Sequence, residues 1–83
     1  MNPRVTRLSV QPQHRLLLEF ENHEARLFDL TPYLDRGVFR ALQNEHEFAK
    51  AFVVDGSVEW PGEIDLSFDT LYLRSVALQA TSA

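Results

Sequence analysis

The 83-residue chain contains no cysteine, which excludes a disulfide frame, a thiol nucleophile and any cysteine-based zinc knuckle. Its core must hold by packing alone. Only three glycines are present, at positions 37, 56 and 62, too few and too scattered for either common phosphate-cradling loop, so nucleotide binding by a standard motif is excluded. The longest uninterrupted apolar run, Ala51-Phe52-Val53-Val54, is far shorter than the roughly 20 residues of a membrane span. The N-terminal stretch also lacks the apolar segment of about 7 to 15 residues that marks a secretory signal, and a cytoplasmic location without membrane attachment is the expectation.

Positive charge is scarce as well. Eight Lys and Arg stand against twelve Asp and Glu, giving a net charge of −4 and a pI near 5.2. Generic binding to a phosphate backbone needs the opposite surplus, so direct nucleic-acid binding is not expected. The charge is unevenly placed: residues 1–42 hold six arginines and five acids, whereas residues 43–83 hold Lys50 and Arg74 against seven acids. The C-terminal half is therefore suited to a basic partner, set against the plainer reading of a solvated acidic face that keeps the protein soluble.

What the chain does contain is a spread of apolar residues, 45% of the total, typical of a globular domain. At this length one core is all it can build. The expectation is a single α+β domain over residues 1–78 with a small, polar, frayed tail at 79–83. Residues 4–10 are rich in β-branched side chains and end at Gln11-Pro12, which predicts a first strand closed by a proline turn. Leu16, Leu18 and Phe20 alternate with Leu17, Glu19 and Glu21, the period-2 signature of a second strand with one buried face. Asn22-His23 falls where a two-residue hairpin loop belongs, and a third strand over 25–30 follows. In that strand both Leu27 and Phe28 need cover from solvent.

Thr31-Pro32 is a helix-start signal, with the threonine hydroxyl as cap and the turn ending at Gly37. Residues 38–43 place Phe39 and Leu42 three apart on one helical face, and the extent of helix over 45–50 is left open. Asp55-Gly56 between 51–54 and 57–60 predicts a tight β-hairpin, which Pro61-Gly62 ends. Ser67 followed by Phe68, Leu71 and Tyr72 predicts a capped helix over about 67–75. The order is β-β-β-α-(α)-β-β-α, which favours an antiparallel sheet with short helices packed on one side.

The search for chemistry yields no catalytic, cofactor-binding or metal-ligating residues. His14, His23 and His46 show no ligand spacing, and the second histidine of a zinc-protease helix is missing after His46-Glu47. Ser57 lacks the flanking pattern of a nucleophile elbow, and twelve acids give no carboxylate pair a distinctive spacing. The six arginines at 4, 7, 15, 26, 36 and 40 form a basic stripe only if the fold gathers them. The most distinctive stretch is Val58 to Leu66, which holds the only tryptophan. Trp60 is expected to anchor the hairpin onto the last helix, with Asp65 or Ser67 satisfying the free N–H groups at that helix start.

The run Val54-Asp55-Gly56-Ser57-Val58-Glu59-Trp60-Pro61-Gly62-Glu63-Ile64-Asp65-Leu66-Ser67, continuing to Leu71-Tyr72 and preceded by Phe28-Asp29-Leu30 and Gly37-Val38-Phe39, resembles the small bacterial family known as domain of unknown function 2442 (DUF2442). The resemblance covers roughly residues 5–73. Phe68 departs from it where the family pattern has proline, and His23 where it has glycine. The resemblance implies a compact α+β fold and carries no catalytic residues. It also implies a toxin–antitoxin-like setting beside a second small protein, and in some members an added helix-turn-helix segment, which is not expected here after Leu78.

Two functional expectations follow. The first is a non-enzymatic protein-interaction module, antitoxin-like, using an exposed sheet edge with Glu45, Glu47, Glu59 and Glu63 as electrostatic guides toward a small basic protein. The second is a small-ligand binder or enzyme with a pocket near Trp60, Asp65, Asp29 and Tyr33. Homodimerisation through a spare sheet edge is compatible with either.

Overall fold

The structure, a computed structural model, describes residues 1–78. The frayed tail expected at 79–83 lies outside the described residues. Val5–Gln11 forms β1, Arg15–Phe20 β2 and Ala25–Asp29 β3, each antiparallel to the next. β2 obeys its alternation: Leu16, Leu18 and Phe20 are buried, while Arg15 and Leu17 are half-buried and Glu19 is exposed.

The β1–β2 turn follows Pro12 with Gln13 and His14 at φ 64° and 59°. The β2–β3 loop differs from the two-residue form. Phe20 N donates to Glu24 O and His23 N to Phe20 O, both at 2.9 Å, so the loop spans 21–23 and His23 takes its left-handed position at φ 70°. A three-residue hairpin loop places its left-handed residue there, which is why glycine suits the site. Replacing His23 with glycine removes about 1–2 kcal/mol of steric strain and adds back roughly half of that in unfolded-chain entropy. His23→Gly is therefore expected to stabilise the protein by about 0.5–1 kcal/mol, read as a higher urea midpoint at unchanged slope.

Thr31–Tyr33 is a single 3-10 turn with Pro32 inside it. Thr31 does not cap it with its hydroxyl. The flanking residue is Leu30, committed to the core, and the Asp29 carboxylate instead accepts from Thr31 N at 2.9 Å. Gly37–Gln43 is also 3-10 helix, a geometry in which side chains three apart eclipse, so Leu42 is buried and Phe39 packs partly beside it. Asn44 then caps α1, Glu45–Phe48, its side-chain oxygen accepting from His46 N at 2.8 Å and Glu47 N at 3.3 Å.

Phe52–Val54 (β4) and Ser57–Trp60 (β5) form the hairpin around Asp55 and Gly56, at φ 49° and 84° as a type I′ turn requires. The chain does not leave the sheet at Pro61-Gly62. A turn with Gly62 at φ 94° and Glu63 at φ 63° returns it as β6, Ile64–Leu66, antiparallel to β5. Ser67 caps α2, Phe68–Arg74, and its hydroxyl accepts from Thr70 N at 3.3 Å. Asp65 takes no part in that cap: it lies mid-strand, and Phe68 N donates instead to Ser57 Oγ at 3.1 Å. A short last strand, β7 (Val76–Ala77), pairs with β3.

The α+β order is thus as expected with two strands added, and the strands divide into two antiparallel sheets, β1-β2-β3-β7 and β4-β5-β6. One core, built from residues such as Leu16, Phe28, Leu42, Phe48, Val58 and Trp60, lies between them and the helices. The sheets are joined where Val5 N donates to Gly56 O at 2.9 Å and the Arg4 guanidinium to Asp55 O at 2.8 Å.

Candidate functional site

Trp60 sits on β5, the central strand of the smaller sheet, and is 1% exposed. Its indole N–H donates to Phe48 O at 2.8 Å, and the two rings lie 6.1 Å apart. The tryptophan therefore anchors the hairpin onto the end of α1, not onto the last helix. A helix C-terminus has carbonyls without intrahelical donors, and a buried indole needs one acceptor; the two requirements meet here.

The residues grouped with Trp60 in the sequence make separate contacts. Asp29 ends β3, exposed, and holds Thr31 N. Tyr33 packs between Phe28 and Phe39 with the Arg36 guanidinium 5.9 Å from its ring. Neither makes a hydrogen bond or ring contact with Trp60 among the described residues. A shallow groove of about 320 Å³ lies instead on the larger sheet, lined by Arg7, Ser9, Leu17, Glu19 and Ala25 among others.

Asp65 belongs with the acidic residues. On the smaller sheet Val58, Trp60, Ile64 and Leu66 face the core, so alternation turns Phe52, Glu59 and Asp65 outward. Register makes them one row: Phe52 is opposite Glu59, and Glu59 is opposite Asp65. Like charges directly opposite one another disfavour the sheet. Neither carboxylate makes an ion pair among the described residues, and Phe52 is 43% exposed beside them. Glu63 is exposed in the turn preceding Asp65. Glu45 and Glu47 are on α1, where they complement its N-terminus, and Glu47 pairs with Lys50 at 3.0 Å.

A polar cluster that the sequence does not signal ties β3 to α2. The Glu24 carboxylate accepts from Tyr72 hydroxyl at 2.5 Å, from Asn22 Nδ2 at 2.6 Å and from Arg26 at 3.0 Å. Arg26 also donates to Ser75 Oγ and Ser75 O, and its guanidinium lies 4.3 Å from the centre of the Tyr72 ring. Glu24 and Tyr72 are 48 positions apart, so no local spacing reveals the pair. Every polar group in it is satisfied, and its chemistry is that of a clasp.

The clasp has a pH signature. The Tyr72 hydroxyl, followed by Asn22 and Arg26, holds the Glu24 carboxyl below its ordinary 4.5 against an opposing desolvation. The same bond holds the Tyr72 phenol above its ordinary 10.0, because losing the proton would set two negative charges together. A lowered carboxyl contributes stability that is fully present above its unfolded pKa and lost as pH falls through the folded one. A raised phenol contributes stability present below its unfolded pKa and lost as pH rises through the folded one. Tyr72→Phe is expected to unfold at lower urea than wild type across the neutral range. The gap should close below 4.5 on the acid side and above 10.0 on the alkaline side. A gap that stays constant from acid to alkaline pH would show that the bond contributes nothing through titration.

The remaining candidates do not converge. Arg26 faces the core side of the larger sheet, Arg7 and Arg15 the opposite side, and Arg4 lies over Phe68 at 4.7 Å. His14 packs on Phe48, with ring centroids 5.1 Å apart. Among the described residues no three His, Cys, Asp or Glu side chains come together as metal ligands would. Among the described residues no helix is long and apolar enough to cross a membrane.

Comparison with known proteins gives no match to a curated protein and none to a solved structure. A family model does match, over residues 5–77, and therefore takes in both sheets, α2 and the Phe52–Glu59–Asp65 row. The chain belongs to the DUF2442 family, described as proteins of unknown function.

Proposed function

We propose that the protein is a non-enzymatic interaction module that binds a basic partner protein, in the manner of an antitoxin, through the outer face of β4-β5-β6. The observation that carries this reading is the row Phe52–Glu59–Asp65. Two carboxylates opposed across neighbouring strands cost the free protein stability, and a Lys or Arg from a partner placed between them offsets that cost. Phe52 supplies an apolar contact next to the charges, a combination that arginine side chains engage well. Glu63 extends the negative field that steers the encounter. The net charge of −4 supports the same direction of attraction.

Co-expression with the product of the gene adjacent to its own, followed by copurification, tests the proposal. A basic partner is expected to copurify, with retention falling as salt is raised. Glu59→Lys and Asp65→Lys each convert the opposed pair into an attractive one. Each is expected to stabilise the free domain by about 0.2–1 kcal/mol while abolishing copurification. Loss of binding together with a gain in stability cannot be attributed to misfolding. Retention of the partner by both variants, or no copurification of wild type, overturns the reading.

A further inference from the structure

The larger sheet has a second face, opposite the core. Leu16, Leu18, Phe20 and Phe28 point inward, so Leu17 and Leu27 point outward from the middle of β2 and β3 and face each other in register. Val76 continues this row on β7, 70% exposed, and Leu78 extends the strand beside Ala25, 46% exposed. Leu17 and Leu27 are not among the partly buried residues that pack on the core. The result is an apolar centre with charged residues at both ends: Arg7 opposite Glu19 at one, Arg15 opposite Asp29 at the other. An apolar centre with a polar margin is the composition of a protein interface. The shallow groove lies on this same face.

The charges decide the occupant. The face carries two arginines and two acids and is neutral, although the chain as a whole is at −4. Two copies can therefore meet here without the repulsion that their other surfaces would impose. The pattern is also self-complementary. A two-fold axis running parallel to the strands, between β2 and β3, sets Leu17 of one copy on Leu27 of the other. The same rotation sets Arg15 on Asp29, twice per dimer. Isologous pairing of this kind is what a cyclic dimer demands. The strands at the usual spacing offer roughly 300 Å² per copy, which places the pairing among weak, transient interfaces.

From this complementarity we infer that the protein forms a face-to-face homodimer through the outer surface of β1-β2-β3-β7, a surface separate from the acidic row. Sedimentation equilibrium over a concentration series is expected to show a monomer–dimer equilibrium with a dissociation constant on the order of micromolar. In a dilution series followed by amide NMR, the concentration-dependent shifts should cluster at Leu17, Leu27 and Val76 and leave Glu59 and Asp65 unmoved. Leu27→Lys should weaken the dimer at least tenfold with an unchanged circular dichroism spectrum. Arg15→Asp alone should also weaken it by opposing two acids, and Arg15→Asp with Asp29→Arg should restore it. A wild type that stays monomeric at millimolar concentration overturns the inference. So does a dimer whose dilution shifts fall elsewhere, such as along the β1 edge, or one indifferent to Leu27→Lys.

Discussion

Trp60→Ala is expected to destabilise the domain by about 3–5 kcal/mol, the range for truncating a fully buried aromatic. Small domains hold little in reserve, commonly about 3–5 kcal/mol from a single core. The variant should therefore be largely unfolded at room temperature, or melt at least about 12 °C below wild type. Circular dichroism is the appropriate probe, since the substitution removes the only tryptophan. The cost has two parts that can be separated. Most of it is the cavity beside Phe48, whose ring lies 6.1 Å away. The rest is the hydrogen bond to Phe48 O, which would be left with Ala51 N at 3.3 Å as its remaining donor.

Trp60→Phe separates the two. It fills much of the space and removes the donor, so its expected cost is about 1–2 kcal/mol. If alanine and phenylalanine cost the same, the hydrogen bond and not the packing dominates at Trp60. A loss of less than 1 kcal/mol for alanine would mean that the core does not close around this residue.

The parts of this fold that the sequence reveals are those governed by local chemistry. Leu16, Leu18 and Phe20 alternate over a full strand, Asp55-Gly56 satisfies a turn with two left-handed positions, and Ser67 stands one residue before an amphipathic helix. The parts it hides are short or distant. β6 has three residues and β7 two, less than any periodicity can register. Pro61-Gly62 reads as an end because the sequence does not show that Glu63 accepts a positive φ.

That one missed strand changes the functional reading. Without β6, Asp65 is a helix-capping candidate near Trp60; with it, Asp65 stands across from Glu59. The acidity of the C-terminal half is plain from composition, but the opposition of two charges is a property of register. Leu27 is the converse case. Its need for cover is legible in the sequence, and the fold leaves it half-exposed with Val76 as its neighbour. Glu24 and Tyr72 were beyond reach, because their contact exists only once α2 has folded back over β3.

Gly56→Ala is expected to cost about 2–4 kcal/mol, and the reason lies in the joint between the sheets. At φ +84° an alanine pays the left-handed penalty of about 1–2 kcal/mol. The added methyl also has nowhere to go: its position falls 2.5 Å from Arg4 Cβ and 2.7 Å from Arg4 Cγ. Relief requires β1 to move away, which stretches the bond from Val5 N to Gly56 O. Gly62 supplies the control, because it has φ +94° and no atom within 4 Å of the same methyl. Gly62→Ala should therefore cost only the backbone term, and the difference between the two alanine variants measures how tightly the sheets are joined. A double-mutant cycle makes the attribution specific. With Arg4→Gly in the background the obstructing carbons are gone, and Gly56→Ala should fall to the cost seen at Gly62. If it remains as damaging, the strain belongs to the hairpin alone. The two sheets would then be held together by the shared hydrophobic core and not by the contact of Arg4 and Val5 with the turn.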